Sequence, residues 1–174
     1  MSTQDYVLPA QADIGHVHLK VADLEVAIGF YRDVLGFELT SRFGDEAAFL
    51  SAGGYHHHLG LNTWESRGGS RPPREATGLY HFAIRYPDRR ALAVALRRVM
   101  GAGVHLRGAA DHGVSQSIYL ADPDGNGIEL TIDTPRDTWR RLPDGGIDMV
   151  TEPLDLRALL EEAAPPPAQP SGPK

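Results

Sequence analysis

Residues 15–23, GHVHLKVAD, decide the fold, because a similar stretch, YHFAIRYPD, returns at residues 80–88. In both copies a histidine, His16 or His81, is followed four positions later by a basic residue and seven positions later by an aspartate. An apolar segment with helical periodicity follows each aspartate. We therefore predict one structural module that the chain uses twice.

Each repeat has the pattern of a strand followed by a helix. Successive side chains of a strand point to opposite faces, which predicts one polar and one apolar face. The polar face carries His16, His18 and Lys20, and the apolar face carries Val17, Leu19 and Val21. Asp23 and Asp88 are the predicted N-caps of the helices, and Gly36 and Gly101 their predicted ends. A helix then covers the apolar face of each module and leaves the histidine on the other face.

Turn signals divide the rest of the chain into further strands. The predicted strands span residues 37–43, 47–51 and 57–63 in the first module, and residues 79–86, 104–107, 115–121 and 127–133 in the second. This order predicts an α+β fold made of two β-α-β-β-β modules. The predicted organisation is an N-terminal extension (1–13), the first module (14–64), a linker (65–77), the second module (78–133), a C-terminal extension (134–162) and a disordered Pro-rich tail (163–174).

Composition narrows the class of function. The chain has 174 residues, no cysteine and a formal net charge of −6. Without cysteine there are no thiolate nucleophiles, disulfides or cysteine metal ligands. The arginines are dispersed, so no nucleic-acid-binding surface is predicted, and no apolar run reaches the length of a membrane span. We expect a cytoplasmic protein without nucleic-acid or membrane partners.

Glu129 completes a predicted metal site. In the segment GIELTI, residues 127–132, Glu129 alternates with Ile128 and Leu130, so its carboxylate leaves the strand opposite the apolar face. His16 and His81 have the same sidedness. Singly, each would be an ordinary strand-end or solvated residue, but two of the three occupy equivalent repeat positions. Two histidines and one carboxylate with open coordination positions are typical of non-haem Fe(II) sites.

Three segments resemble the vicinal oxygen chelate superfamily: GHVHLKVADLEVAIGFYRDVLGFEL, YHFAIRYPD and SIYLADPDGNGIEL. The resemblance covers about residues 14–133. It implies that the two modules pair into one cup-shaped, barrel-like mixed sheet with the helices outside. It also implies that His16, His81 and Glu129 hold a divalent metal inside the cup.

Within this superfamily the sequence is most similar to the extradiol catechol 2,3-dioxygenases. Glyoxalase I places a ligand glutamate on the last strand of the first module, where this chain has His56, His57 and His58. The dioxygenase resemblance implies that His57 is the acid–base residue. It also implies that Tyr119 and His112 flank the substrate, although the family histidine commonly stands about two residues further upstream. The expected cofactor is Fe(II), with Mn(II) as an alternative, and the expected substrates are an aromatic diol and O2.

Two other functions remain open on the sequence. A Mn(II)-dependent fosfomycin-type thiol transferase resembles the same ligand set and needs a cationic pocket, for which Lys20 and Arg85 have the right sidedness. A metal-free binding protein of the bleomycin-resistance kind shares the fold.

We also expect a homodimer, because a single module pair leaves open sheet edges. Either a second subunit or the C-terminal extension can cover them, with Trp139, Leu154, Leu156, Leu159 and Leu160 as candidates.

Overall fold

The computed structural model describes residues 6–163, so residues 1–5 and the predicted tail beyond Ala163 lie outside the described part. The first module contains β1 (Val17–Lys20), α1 (Leu24–Gly29), a π-helical turn (Phe30–Val34), β2 (Glu38–Phe43), β3 (Ala47–Ser51) and β4 (Leu59–Asn62). The second contains β5 (Phe82–Arg85), α2 (Arg89–Gly101), β6 (Gly108–Asp111), β7 (Ser115–Ala121) and β8 (Gly127–Asp133). A 3-10 turn (Arg136–Thr138), β9 (Glu152–Pro153) and α3 (Leu156–Glu162) follow.

The two modules form two sheets of the same design, which confirms the α+β fold with two β-α-β-β-β units. The strand orders are β1-β4-β3-β2 and β5-β8-β7-β6-β9. The first and last strands of each module are parallel, and the other pairs are antiparallel. The sheets are separate, and over residues 6–163 no strand pairing closes them into a barrel. His16 and His81 each directly precede the first strand of their module.

Side-chain burial follows the predicted faces. In β1, Leu19 is buried while His18 and Lys20 are exposed. The predicted N-caps are also confirmed: the carboxylate of Asp23 accepts a hydrogen bond from the Val26 amide, and that of Asp88 accepts one from the Ala91 amide. The histidine-bearing faces are therefore opposite the faces that the helices cover.

The helix ends differ in detail from the prediction. The first helix widens into a π-helical turn, in which the Leu35 amide donates to the Phe30 carbonyl at 3.2 Å. Gly36 then ends it with a left-handed φ of 88°, as predicted. In the second module the helix includes Gly101, and the left-handed residue is Gly103, with φ of 71°.

The predicted strand at 104–107 is wrong, because the strand lies at Gly108–Asp111. The Arg107 amide already donates to the Tyr119 carbonyl at 2.7 Å, and pairing with β7 then continues through residues 108–111. This strand begins with glycine and alanines, which have low intrinsic strand propensity. Cross-strand hydrogen bonds to β7, rather than local preference, therefore define it.

The two modules share one hydrophobic core to which both helices contribute. Polar contacts reinforce this packing: the Tyr31 hydroxyl donates to the buried Asp122 carboxylate at 2.9 Å. The Arg98 guanidinium donates to the carbonyls of Asp33 and Val34. The modules are thus joined on their helical side.

The C-terminal extension packs on its own chain. Leu159 of α3 is fully buried in the common core, and α3 packs on α2. The short strand β9 pairs with β6 and covers the edge of the second sheet. No helix in the described part is long and apolar enough to cross a lipid bilayer.

Candidate metal centre

The second module gathers four of the predicted site residues into one cluster, here called the second-module cluster: His81, His112, Tyr119 and Glu129. Tyr119 on β7 and Glu129 on β8 are directly opposed in the antiparallel ladder. His81 Nε2 lies 3.1 Å from Glu129 Oε2, and the Tyr119 hydroxyl lies 3.2 Å from Glu129 Oε1. Regular strand pairing therefore brings an imidazole, a phenol and a carboxylate together.

The separation of His81 Nε2 and Glu129 Oε2 is that of a hydrogen bond, and it also fits the spacing of two ligands on one metal ion. Two ligand atoms about 2.1 Å from an ion and at a right angle to each other lie about 3.0 Å apart. The observed separation is 3.1 Å, with side-chain exposures of 32% for His81 and 13% for Glu129. The pair is thus accessible enough for an ion and suits two adjacent coordination positions.

Gly127 allows this approach. A Cβ atom on Gly127 would lie 2.0 Å from the Tyr80 carbonyl oxygen and 2.9 Å from the His81 Cβ. Both distances are shorter than van der Waals contact, and the first involves backbone that cannot rotate away. The glycine that begins β8 therefore lets the chain before β5 lie close enough for His81 to reach Glu129.

His112 and Tyr119 form a hydrogen-bonded chain that runs from the Val150 carbonyl to Glu129. His112 Nδ1 is 2.7 Å from the Val150 carbonyl oxygen, so this nitrogen carries the proton and donates it. In the neutral ring Nε2 is then an acceptor, and it lies 2.7 Å from the Tyr119 hydroxyl. Tyr119 has one hydroxyl proton and two acceptors in reach, His112 Nε2 at 2.7 Å and Glu129 Oε1 at 3.2 Å, so it donates to one of them at a time.

Burial and charge favour the neutral form of Tyr119. Desolvation raises the pKa of its hydroxyl, and the nearby Glu129 carboxylate raises it further. Tyr119 is therefore a phenol, not a phenolate, near neutral pH. Its oxygen keeps lone pairs that can accept a hydrogen bond from a bound molecule.

The first module gathers a second group, here called the first-module cluster: His16, His56, His57 and Phe49. The His57 ring centroid lies 4.5 Å from that of His16 and 5.1 Å from that of Phe49. His57 Nδ1 and His56 Nδ1 are 2.7 Å apart, so one donates to the other and His57 Nε2 is left available. His58 instead contacts the Ser51 hydroxyl at 2.9 Å. Of the three consecutive histidines, His57 is the one that lies beside His16.

Desolvation and, after it, neighbouring imidazoles favour the neutral form of His57. Desolvation lowers its pKa, and repulsion from His16 and His56 lowers it further. In the tautomer in which His57 Nδ1 donates to His56, His57 Nε2 carries no proton and is able to accept one near pH 7.

The structure does not assemble the three predicted ligands around one point. Among residues 6–163, no group of three or more His, Asp or Glu side chains is placed to hold a metal ion. His81 and Glu129 are together, whereas His16 belongs to the first-module cluster. The described chain thus offers two ligands of the set, and the assignment of all three to one ion stays a prediction.

The cations that a phosphonate pocket would need are already paired. Lys20 Nζ lies 3.4 Å from a Glu65 carboxylate oxygen, and Arg85 donates to the Asp133 carboxylate at 2.9 Å. All four side chains are largely exposed, so these contacts are weak energetically. They nevertheless offset the positive charges of Lys20 and Arg85.

The sequence patterns predicted neither the hydrogen bond from His112 to the Val150 carbonyl nor the hydrogen bonds to the Asp122 carboxylate. The Asp122 carboxylate accepts hydrogen bonds from Tyr31 and from both the amide and the side chain of Asn126. The segment DPDGNG, residues 122–127, predicts a turn, but only the structure shows that Asp122 is buried and needs a distant donor. These hydrogen bonds to Asp122 fix the turn that leads into β8 and Glu129.

Comparison with known proteins identifies one superfamily and several relatives. The family model described as the glyoxalase/bleomycin resistance protein/dioxygenase superfamily matches residues 13–130. A protein of Bacillus subtilis (strain 168) named catechol-2,3-dioxygenase is 44% identical over 150 residues, which is 86% of this chain and 52% of that protein. Biphenyl-2,3-diol 1,2-dioxygenase 3 of Rhodococcus globerulus is 32% identical, covering 69% of this chain and 63% of that protein.

A solved structure supports the fold. The crystal structure of a glyoxalase/dioxygenase from Nostoc punctiforme has a TM-score of 0.61 and 20% identity, covering 77% of this chain and all of that one. By contrast, the chain spans about half to two thirds of the length of the curated relatives it matches.

Proposed function

Because this chain belongs to the glyoxalase/bleomycin resistance protein/dioxygenase superfamily, we propose that it is an extradiol dioxygenase that opens the ring of catechol or a substituted catechol with O2. The proposed cofactor is Fe(II), with Mn(II) as the alternative. Support comes from the two relatives named as dioxygenases of aromatic diols, which cover most of this chain. The cytoplasmic location expected from the sequence stays a prediction.

The observation that carries the proposal is the second-module cluster. It combines an imidazole and a carboxylate at metal-ligand spacing with a phenol that touches the same carboxylate. A metal ion held by His81 and Glu129 would bind the oxygens of the diol and lower the pKa of its hydroxyl groups. Tyr119 would then lie beside the bound diol, because it contacts Glu129 directly.

Tyr119 and His112 form the proposed path for a proton taken from the diol. When the Tyr119 hydroxyl donates to His112 Nε2 rather than to Glu129, its oxygen is able to accept a hydrogen bond from a diol hydroxyl. As the diol proton moves to Tyr119, the phenol proton moves to His112, which keeps donating through Nδ1 to the Val150 carbonyl. The Val150 contact thus holds the imidazole in the tautomer that can accept.

His57 is the proposed second acid–base residue. Its free Nε2 and lowered pKa suit a base near neutral pH, and its contact with His16 places it next to a predicted metal ligand. His57 belongs to the first-module cluster, so this role requires the two clusters to meet.

Turnover of catechol tests the proposal. The protein is loaded with Fe(II) without oxygen, then mixed with catechol and air, and the yellow semialdehyde product is followed by absorbance together with O2 consumption. We expect the wild-type protein to consume one O2 for each product molecule. We expect no product from Glu129→Ala, because this substitution removes a proposed ligand. Tyr119→Phe should keep the metal and lose turnover by about 10²-fold, the usual contribution of an acid–base group.

Two results would contradict the proposal. One is a metal-loaded protein that turns over neither catechol nor substituted catechols. The other is Glu129→Ala protein with wild-type turnover.

The ion-paired state of Lys20 and Arg85 gives no support to the thiol transferase alternative. A binding protein of the bleomycin-resistance kind would need no metal, so metal analysis of the purified protein separates it from the dioxygenase.

A further inference from the structure

His112 lies at the tip of the hairpin that joins β6 to β7. The His112 amide donates to the Ser115 carbonyl at 2.8 Å, and Gly113 has a left-handed φ of 76°. Short hairpin loops favour a residue with positive φ, and glycine adopts it without strain. The Asp111 carboxylate accepts hydrogen bonds from the Gly113 amide at 2.8 Å and from the Gln116 side chain at 2.7 Å. These contacts fix the backbone of His112, and none of them involves its imidazole.

A segment of the C-terminal extension, residues 148–153, supplies a contact that orients the ring, and it is here called the strap. The Val150 carbonyl accepts from His112 Nδ1 at 2.7 Å, and the Val150 amide donates to the His112 carbonyl at 3.1 Å. The Thr151 hydroxyl lies 3.4 Å from the same Nδ1. The strand β9, which ends the strap, pairs with β6. The strap thus lies along the hairpin and holds both the backbone and the ring of His112.

Contacts within the extension hold the strap in this place. The Thr134 hydroxyl donates to the Gly113 carbonyl at 2.8 Å, so the start of the extension is bound to the same hairpin loop. The Trp139 ring nitrogen donates to the Thr134 carbonyl at 3.0 Å. The Asp148 amide donates to the Arg140 carbonyl at 2.9 Å, and the two side chains form an ion pair at 3.0 Å. The extension therefore leaves the second sheet after β8 and returns to the hairpin as a folded loop.

The position of the ring proton depends on the strap. A carbonyl oxygen is only an acceptor, so the Val150 contact requires the proton on His112 Nδ1 and leaves Nε2 as an acceptor for the Tyr119 hydroxyl. Without the strap, water contacts Nδ1 as donor or acceptor, so the tautomer with its proton on Nε2 becomes available. That tautomer donates to Tyr119 and is unable to accept a proton from it.

We propose that the strap is a positioning element of the proton path, which holds His112 in the tautomer that accepts a proton from Tyr119. Its role in turnover rests on the proposed function, and Val150 and Thr134 are the positioning residues. The strand β9 also covers the open edge of the second sheet, but that structural role requires no contact with an imidazole. Positioning alone predicts that displacement of the strap changes the His112 tautomer and leaves metal binding unchanged.

Nitrogen NMR of the metal-free full chain, labelled in its histidines, measures the tautomer without metal or turnover. The His112 signals are assigned as those that disappear in His112→Gln protein. In the wild type we expect a protonated Nδ1 and an unprotonated Nε2 at pH about 8, well above the ordinary pKa of an imidazole.

Val150→Pro displaces the strap, because it removes the amide that donates to the His112 carbonyl. We expect signals of both His112 tautomers in this variant. Met149→Pro is the matched control, since among the described residues the Met149 amide donates no hydrogen bond. It should keep the single wild-type tautomer.

A milder pair of variants replaces the proline variants where these do not fold. Thr134→Val removes the hydroxyl that donates to the Gly113 carbonyl, and Thr138→Val removes one that donates to the Pro135 carbonyl away from the hairpin. The second tautomer is expected in Thr134→Val only.

Turnover measures what the strap contributes to the reaction. In Fe(II)-loaded Val150→Pro protein we expect kcat to fall by about tenfold or more, part of the usual contribution of an acid–base group. The KM for catechol and the affinity for Mn(II) should equal those of the wild type, because His81 and Glu129 keep their contact.

The outcomes separate this inference from the proposed function. Both tautomers in Val150→Pro protein but one in Met149→Pro protein support the strap. An unprotonated Nδ1 in the wild type, or the same tautomers in the wild type and Val150→Pro, or equal shifts in both proline variants, overturn the strap and leave the dioxygenase proposal standing. A tautomer shift specific to Val150→Pro, in a protein whose wild type cleaves no diol, overturns the dioxygenase and leaves the hold of the strap on His112 in place.

Discussion

At the scale of single residues, hydrogen-bond partners define what each candidate group can do. His112 has a fixed tautomer because its Nδ1 donates to the Val150 carbonyl, and Tyr119 then has one acceptor at 2.7 Å. His57 is distinguished from His56 and His58 by its contact with His16. None of these distinctions follows from residue type, since the three consecutive histidines are chemically identical.

His57→Phe is expected to keep the metal and lose turnover. The substitution preserves the ring that packs beside His16 and Phe49 but removes the nitrogen that takes the proton. Metal analysis and initial rates check this, with a loss of about 10²-fold or more expected in kcat. His58→Phe is the control, because His58 contacts Ser51 instead. Wild-type kcat in His57→Phe would remove His57 from the acid–base role.

Tyr31→Phe is expected to lower the free energy of unfolding at neutral pH. It is also expected to make that free energy decrease less steeply with pH in the alkaline range. Tyr31 is fully buried and donates to Asp122, so burial and the carboxylate raise its pKa far above the ordinary phenol range. Loss of this bond should cost about 1–3 kcal/mol at pH 7. Asp122 would keep its two bonds from Asn126.

The sign of the pH effect follows from the raised pKa. The contribution of Tyr31 is fully present below the unfolded phenol pKa of about 10, and it is lost as pH rises above that value, where only the unfolded chain ionises. The stability difference between wild type and Tyr31→Phe should therefore shrink by about 1.4 kcal/mol per pH unit above pH about 10. Urea unfolding at several pH values measures it, and a difference that stays constant through pH 11 contradicts the assignment.

At the scale of elements, periodicity identified most strands and both long helices, because each has one apolar face against the core. It failed at β6, where glycine and alanines carry no strand signal and pairing with β7 imposes the conformation. It also missed the π-helical turn, whose hydrogen bonds shift by one residue without changing which side chains are apolar. The first failure concerns a conformation that pairing with another strand imposes, and the second a change in hydrogen bonding that leaves the apolar pattern unaltered.

Gly127→Ala is expected to separate His81 from Glu129 and weaken metal binding. The added Cβ would meet the Tyr80 carbonyl, so the chain before β5 must move away from β8. Titration with Mn(II) should show a loss of affinity of about tenfold or more. Gly108→Ala is the matched control, since a Cβ there meets nothing within 4 Å. Equal affinity in both variants would mean that the close approach is not needed.

At the scale of the whole molecule, a metal ion that binds only the folded chain stabilises that chain by mass action. The proposed function therefore predicts that Mn(II) raises the free energy of unfolding of the wild-type protein and that a chelator lowers it again. Urea unfolding with Mn(II) and with a chelator measures the difference, and Glu129→Ala is the control that should show none. Equal stability of the wild-type protein under both conditions would contradict this prediction.

The sequence by itself determined the two repeated modules, the faces of their strands, the helix caps and the identity of the candidate ligands. These depend on local spacing, and apolar periodicity with side-chain chemistry is visible in the chain. Only the tertiary structure decided which candidates meet. It paired His81 with Glu129, set His16 beside His57 and joined the modules on their helical side. The physical reason is that a strand pattern defines which way a side chain points from its own sheet, whereas the packing of one sheet against another depends on contacts between residues far apart in the chain.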